Sequence, residues 1–259
     1  MATIKKLIFA PLFIIVFILL IYQLSPILKT YDLIFSLSPN ILIQLITLSA
    51  LISLSSLLFI LFSTLALDWK LVLPVIILAA ILPILFLDKT LAIICAVAIL
   101  VSLLMSFLFL ENTLKTYLTF QPNSLFGPSI RHLSSLLILV IAITYFLAIS
   151  KVVNQNGFQI PDSLIDTALK FTPQSQNAPQ DLTNNLLKQT IQDQFQTFIK
   201  PYANFIPAIL ALLLFLTLQS LTSLINLFIY PLIWVTFYIL EKSGFIKFTE
   251  EMRPVKKLV

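Results

Sequence analysis

Five stretches of this chain, residues 7–24, 41–67, 71–87, 90–110 and 133–150, contain no Asp, Glu, Lys or Arg. A sixth, 205–240, runs for 36 residues without one. A helix rises about 1.5 Å per residue and a bilayer's hydrocarbon core is about 30 Å thick, so uncharged runs of roughly 18 residues or more read as transmembrane helices. The composition agrees. The 259 residues are 59% hydrophobic and 10% charged, with a mean hydropathy of +1.03, where a soluble domain carries about 25% charged residues. In lipid each backbone polar group must be satisfied within the chain, which favours helices. The expected fold class is an all-α polytopic transmembrane helix bundle with a small amphipathic helical cap; six spans are favoured and seven are possible.

Charge punctuates the runs. "DWK" at 68–70 and "DK" at 88–89 mark tight turns. The segment 111–132, "ENTLKTYLTFQPNSLFGPSIRH", holds two prolines and one glycine and reads as a short loop, with an amphipathic turn around Leu114, Tyr117 and Leu118. The basic start "MATIKK" before the first run resembles a signal peptide, but no A-x-A cleavage site follows, so we read an uncleaved first span. The expected organisation is a five-span bundle over 1–150, an extramembrane cap over 151–204, a last long helix or a hairpin over 205–243, and a basic tail over 244–259.

The cap region is rich in Gln, Asn and Thr. Its second half carries Leu182, Leu186, Ile191, Phe195 and Phe198 at near-helical spacing, a candidate contact face for the membrane surface or for a partner. The last run poses a different problem. As one helix it would be roughly 54 Å long, well beyond a single bilayer crossing. In its middle Gln219, Ser223, Asn226 and Tyr230 fall at steps of four, three and four, one polar stripe on a helix. Lipid cannot satisfy Gln or Asn side chains, so the stripe is expected to be a seam between helices, a polar lining for a solute path, or a turn between two short spans. Hydroxyl stripes recur at Ser49, Ser53, Ser56 and Ser63, and at Cys95, Ala98, Ser102 and Ser106, where small residues let backbones approach closely.

Basic residues concentrate on cytoplasmic loops. With six spans and the N-terminus inside, ten of the 16 basic residues are cytoplasmic and six are not; with seven spans the division is eleven and five. Two points favour six. Lys5, Lys6 and the amino terminus need not cross the membrane, and "QSLTS" at 219–223 has no residue that makes a tight turn. Both topologies place the C-terminus inside.

Several functions are poorly served by these residues. His132 is the sole histidine and Cys95 the sole cysteine, too few soft ligands for the usual zinc sites. No GxSxG, P-loop or dinucleotide fingerprint occurs. No cofactor and no catalytic residue is expected. The net charge of +5 flanks apolar runs and is not a nucleic-acid footprint. His132 beside Arg131, at the mouth of a span, reads as a headgroup-facing anchor.

The stretches "FQPNSLFGPSIRHL" and "LQSLTSL…YPLIW…EKSGFIKFTEEM" resemble those of uncharacterised multi-pass membrane proteins of candidate-phylum, small-genome bacteria, a resemblance covering the C-terminal half. It implies a bacterial cytoplasmic-membrane protein and no particular activity. The expected role is a non-enzymatic scaffold or accessory subunit of the envelope. Its partners would be the lipid bilayer and another membrane protein or a second copy, not nucleic acid. The alternative is a channel or facilitator for a small uncharged solute.

Overall fold

A computed structural model describes residues 8–30, 38–117, 121–156, 158 and 200–246. All regular structure among them is helical. The elements are α1 (Phe9–Ile27), α2 (Pro39–Ala66), α3 (Trp69–Ile81) with a 3-10 extension Leu82–Leu85, α4 (Lys89–Thr116), α5 (Pro122–Asn156), a 3-10 segment Lys200–Phe205, and α6 (Ile206–Lys242). Five of these, α1, α2, α4, α5 and α6, are long and apolar enough to cross a membrane; α3 with its extension is shorter.

Contacts between helices fix the directions. Phe13 of α1 meets Phe59 of α2 at 5.3 Å, so the start of α1 lies beside the end of α2. Trp69, at the start of α3, packs edge-on to Phe107 near the end of α4 at 4.6 Å. The carbonyl of Phe86, just past α3, accepts from Ser25 Oγ near the end of α1 at 3.1 Å. Lys151 near the end of α5 pairs with Asp88 before α4 at 3.4 Å. Phe126 of α5 stacks on Phe237 of α6 at 4.8 Å. The helices therefore alternate up and down. The start of α1 and the end of α6 share one end of the bundle, called here the terminal end.

Tight connections come from local chemistry. Leu67 caps α2 in the left-handed region, φ 44°, a conformation that costs a non-glycine residue roughly 1–2 kcal/mol. Asp68 then starts α3 by accepting from the backbone N–H of Lys70 at 3.0 Å. Gly244 closes α6 at φ +67°. Its N–H donates to the carbonyl of Glu241, and that of Phe245 to Leu240, both at 2.9 Å. This bond pair is the Schellman motif, in which glycine avoids a Cβ clash.

α2 lies at the centre, against α1, α5 and α6. Phe13, Phe17, Phe59, Phe62, Phe107, Phe126 and Tyr145 are the largest side chains sealed in the core.

Two expectations need correction. The segment 111–132 is mostly helix: α4 continues to Thr116 and α5 already begins at Pro122. Pro122 opens the helix, where no N–H is needed. Pro128 lies on the exposed side, and Gly127 is used for packing. Second, α5 runs on to Asn156, so the boundary at 150 falls inside a helix. Of the two alternatives for the last run, the long helix is the one present: 206–242 is one helix of 37 residues with Pro231 inside it, and no turn forms at 219–223. The cap face of Leu182, Leu186, Ile191, Phe195 and Phe198 lies outside the described residues, as does the tail from 247.

Candidate functional site: a polar groove on α5 between α4 and α6

The polar residues of α6 do not share one fate. Its covered stripe runs Leu214, Leu218, Thr222, Asn226, Ile229 and Ile233, and it faces mainly α5 and α2. Gln219 and Tyr230 flank that stripe and are half-buried, while Asn226 is buried. Ser223 is exposed. Thr222 takes the inward place instead, giving steps of three, four and four over 219, 222, 226 and 230. Sequence spacing did not separate the two, because Ser223 and Thr222 both lie within one turn of Gln219 and Asn226.

Two of these residues reach across to α5. Gln219 Nε2 donates to Ser135 Oγ at 3.1 Å, and the same hydroxyl lies 3.4 Å from Gln219 Oε1. Arg131 donates to the Tyr230 hydroxyl at 2.7 Å. Tyr230 gets this close because Gly127, one turn before Arg131, has no side chain. A Cβ there would stand 2.6 Å from the tyrosine ring. On the inner side, Ser134 Oγ donates to Ser56 Oγ of α2 at 3.0 Å, and Ser56 Oγ in turn donates to the Ile52 carbonyl at 2.8 Å. The α2, α5 and α6 helices are thus tied through one turn of α5, Arg131 to Ser135, by hydroxyl, amide and guanidinium groups.

Behind these bonds, several buried polar atoms have no partner among the described residues: the hydroxyls of Ser49, Ser53, Ser55, Ser63, Ser106, Ser129 and Thr222, and Asn226 Oδ1. On α4, Ser102 bonds to its own helix at the Ala98 carbonyl, 2.8 Å away, and Cys95 is buried. The hydroxyl stripes of α2 and α4 are therefore largely inside the bundle, with few bonds between helices.

A groove of about 830 Å³ opens where α5 lies between α4 and α6. Phe109, Asn123, Ser124, Pro128, Arg131, His132, Ser135 and Tyr230 line it. His132 packs against Phe109 at 5.0 Å between ring centres. No carboxylate of the described residues lines the groove. Glu111, one half-turn past Phe109, pairs with Lys115 at 2.7 Å. Arg131 has no ion pair among the described residues. The groove's polar groups are donors and neutral acceptors, an arrangement suited to a negatively charged or hydroxyl-bearing group rather than to a cation.

Among the described residues no three His, Cys, Asp or Glu side chains come together as a metal site would need. Comparison with protein families, with curated proteins and with solved structures finds no match to this chain.

Proposed function

We propose that this chain is a six-span protein of the bacterial cytoplasmic membrane, with the terminal end of the bundle in the cytoplasm, and that it works without catalysis as a scaffold or accessory subunit. Three features support the topology. Both outer helix ends share the terminal end, the six-span count puts ten of the 16 basic residues on that side and six on the other, and α3 with its extension spans 17 residues from one end to the other. That is near the short limit for a crossing, about 17 residues.

The role rests on α6. One stripe ties it to α5 and α2, yet the rest of a helix roughly 55 Å long is uncovered. The uncovered face carries Leu216, Leu224, Leu227 and Phe228, with Ser220 and Ser223 among them. Thr217 and Thr236 return their hydroxyls to their own helix at 2.8 and 2.7 Å; Ser220 and Ser223 make no hydrogen bond among the described residues. A second membrane helix laid on this face would satisfy those hydroxyls, and close packing of small residues is how helices associate in lipid. The expected partner is another membrane protein or a second copy. Ser223→Cys is expected to cross-link in native membranes, whereas the buried Cys95 stays unreacted. If Ser223→Cys stays monomeric and uncross-linked at native expression, the assembly role is wrong.

A second reading has its own observation. Thr222 Oγ1 and Asn226 Oδ1 are buried polar atoms without a partner among the described residues, which a solute path would use. Under the facilitator reading, Asn226→Leu in reconstituted vesicles lowers the flux of small uncharged solutes while assembly stays intact. Under the scaffold reading, stability or oligomeric state changes and no flux is lost.

A further inference from the structure

The outward face of α5 changes character along its length. From the terminal end it carries Ser124, Pro128, Arg131, His132 and Ser135, the polar floor of the groove. The same face continues with Leu139, Ile143 and Phe146, exposed by 45, 43 and 36%. The steps of three and four keep all of these on one side of the helix. A polar head of about 830 Å³ therefore leads into an apolar strip one to three turns deeper. The shape and chemistry are those of an amphiphile lying along a helix.

Charge selects among amphiphiles. The head of the groove has Arg131 and His132 and, among the described residues, no carboxylate, and Glu111 on the neighbouring helix is engaged by Lys115. A guanidinium has five N–H donors, and Tyr230 is the single hydrogen-bond partner of Arg131 among the described residues. That bond holds the guanidinium over the groove, and Gly127 lets the tyrosine come close enough to make it. Ser124 and Asn123 add a hydroxyl and an amide at the rim. Basic pockets between membrane helices commonly hold anionic headgroups.

We propose that the α4–α5–α6 groove binds an anionic phospholipid, its phosphate on Arg131 and His132 and an acyl chain along Leu139, Ile143 and Phe146. The proposal rests on the membrane reading above but not on the scaffold role. Tyr230 is a positioning residue, which holds the arginine without touching the chain-bearing part of the lipid.

The test uses the full chain, purified, delipidated and returned to nanodiscs of phosphatidylcholine containing a minor share of phosphatidylglycerol. Lipid retained by the protein is read by native mass spectrometry. The wild type is expected to retain phosphatidylglycerol over phosphatidylcholine by about fivefold, the order given by one arginine at a membrane surface. The double variant R131Q/H132Q is expected to lose that preference while keeping its helical circular dichroism and elution volume. Tyr230→Phe removes the hydrogen bond but leaves both basic groups, and is expected to keep most of the preference. Glycerol phosphate is expected not to displace the lipid. Equal retention of the two lipids by the wild type overturns the proposal. So does an unchanged preference in R131Q/H132Q, or a loss in Tyr230→Phe as complete as in the double variant, which would assign the lipid contact to the tyrosine hydroxyl. Displacement by glycerol phosphate at millimolar concentration would assign the groove to a soluble phosphate instead. Release of the chain from membranes by alkaline carbonate would remove the membrane reading itself, and the lipid site with it.

Discussion

α2 is uncharged and α6 is uncharged up to its last two residues, both are longer than a bilayer crossing requires, and both carry a polar stripe, yet the bundle treats them in opposite ways. In α2, 67% of the most apolar window is buried; in α6 only 28% is. α2 is packed by α1 on one side and by α5 and α6 on the other. Its serines are sealed, and Ser49, Ser53, Ser55, Ser56 and Ser63 all have no exposed surface. α6 has helices along one stripe, so only Thr222 and Asn226 of its polar residues are fully covered. Length and hydropathy do not tell a central helix from a peripheral one. Partner number does, and partner number is a property of the whole bundle.

The sharpest way to break this comparison is to place the same bulk on both helices. Ser53→Leu forces a larger side chain into a site with no free surface. It is expected to cost about 3 kcal/mol, the upper part of the range for overpacking. Ser223→Leu, on the open face of α6, is expected to change monomer stability by less than about 0.5 kcal/mol. Unfolding in mixed detergent micelles reads both. Equal losses would show that α6 is packed on all sides and would end the distinction.

A middle-sized effect is expected where α6 meets α5. Gly127→Val would drive a side chain into the Tyr230 ring, which stands 2.6 Å from a Cβ built there. The tyrosine can swing outward, so the expected cost is about 1–2 kcal/mol, below that of a sealed core site. Loss of the Arg131–Tyr230 bond would accompany it, visible as a change in tyrosine fluorescence. A neutral Gly127→Val would mean that the glycine is incidental to α5–α6 packing.

The smallest expected effect is at Gln219→Leu. Hydrogen bonds between membrane helices average about 0.6 kcal/mol, and Gln219 makes its bonds only to Ser135 among the described residues. A loss above about 2 kcal/mol would show that the amide also organises the unpartnered atoms behind it, Thr222 Oγ1 and Asn226 Oδ1.

The uncovered length of α6 is not evenly spread. Tyr230 is level with Gly127 and Arg131 of α5, so its last twelve residues continue roughly 18 Å beyond that level. There Trp234 stacks on Tyr238 at 5.5 Å and Lys242 stands 5.8 Å over the Tyr238 ring. Trp, Tyr and Lys together are typical of the membrane–water boundary. The start of α5 packs beside this extension through Phe126 and Phe237. Two helices that overrun a crossing do so at the same end and as a pair, which explains how residues 122–132, with two prolines and a glycine, hold a helix.

The sequence by itself determined that the chain is helical and built for lipid. Uncharged runs leave the backbone no partner but itself, and that demand is local. It also determined the cap at Asp68 and the glycine stop at Gly244, because a cap or a left-handed residue acts within one helical turn. The tertiary structure decided what adjacent residues mean. It decided that Thr222 faces inward and Ser223 outward, and that Gly127 marks a close approach rather than a loop. It also brought Arg131, His132 and Tyr230 together around one groove, with Arg131 and Tyr230 ninety-nine positions apart. Those outcomes depend on which helices lie beside α6 and α5, and no spacing within a single helix carries that information.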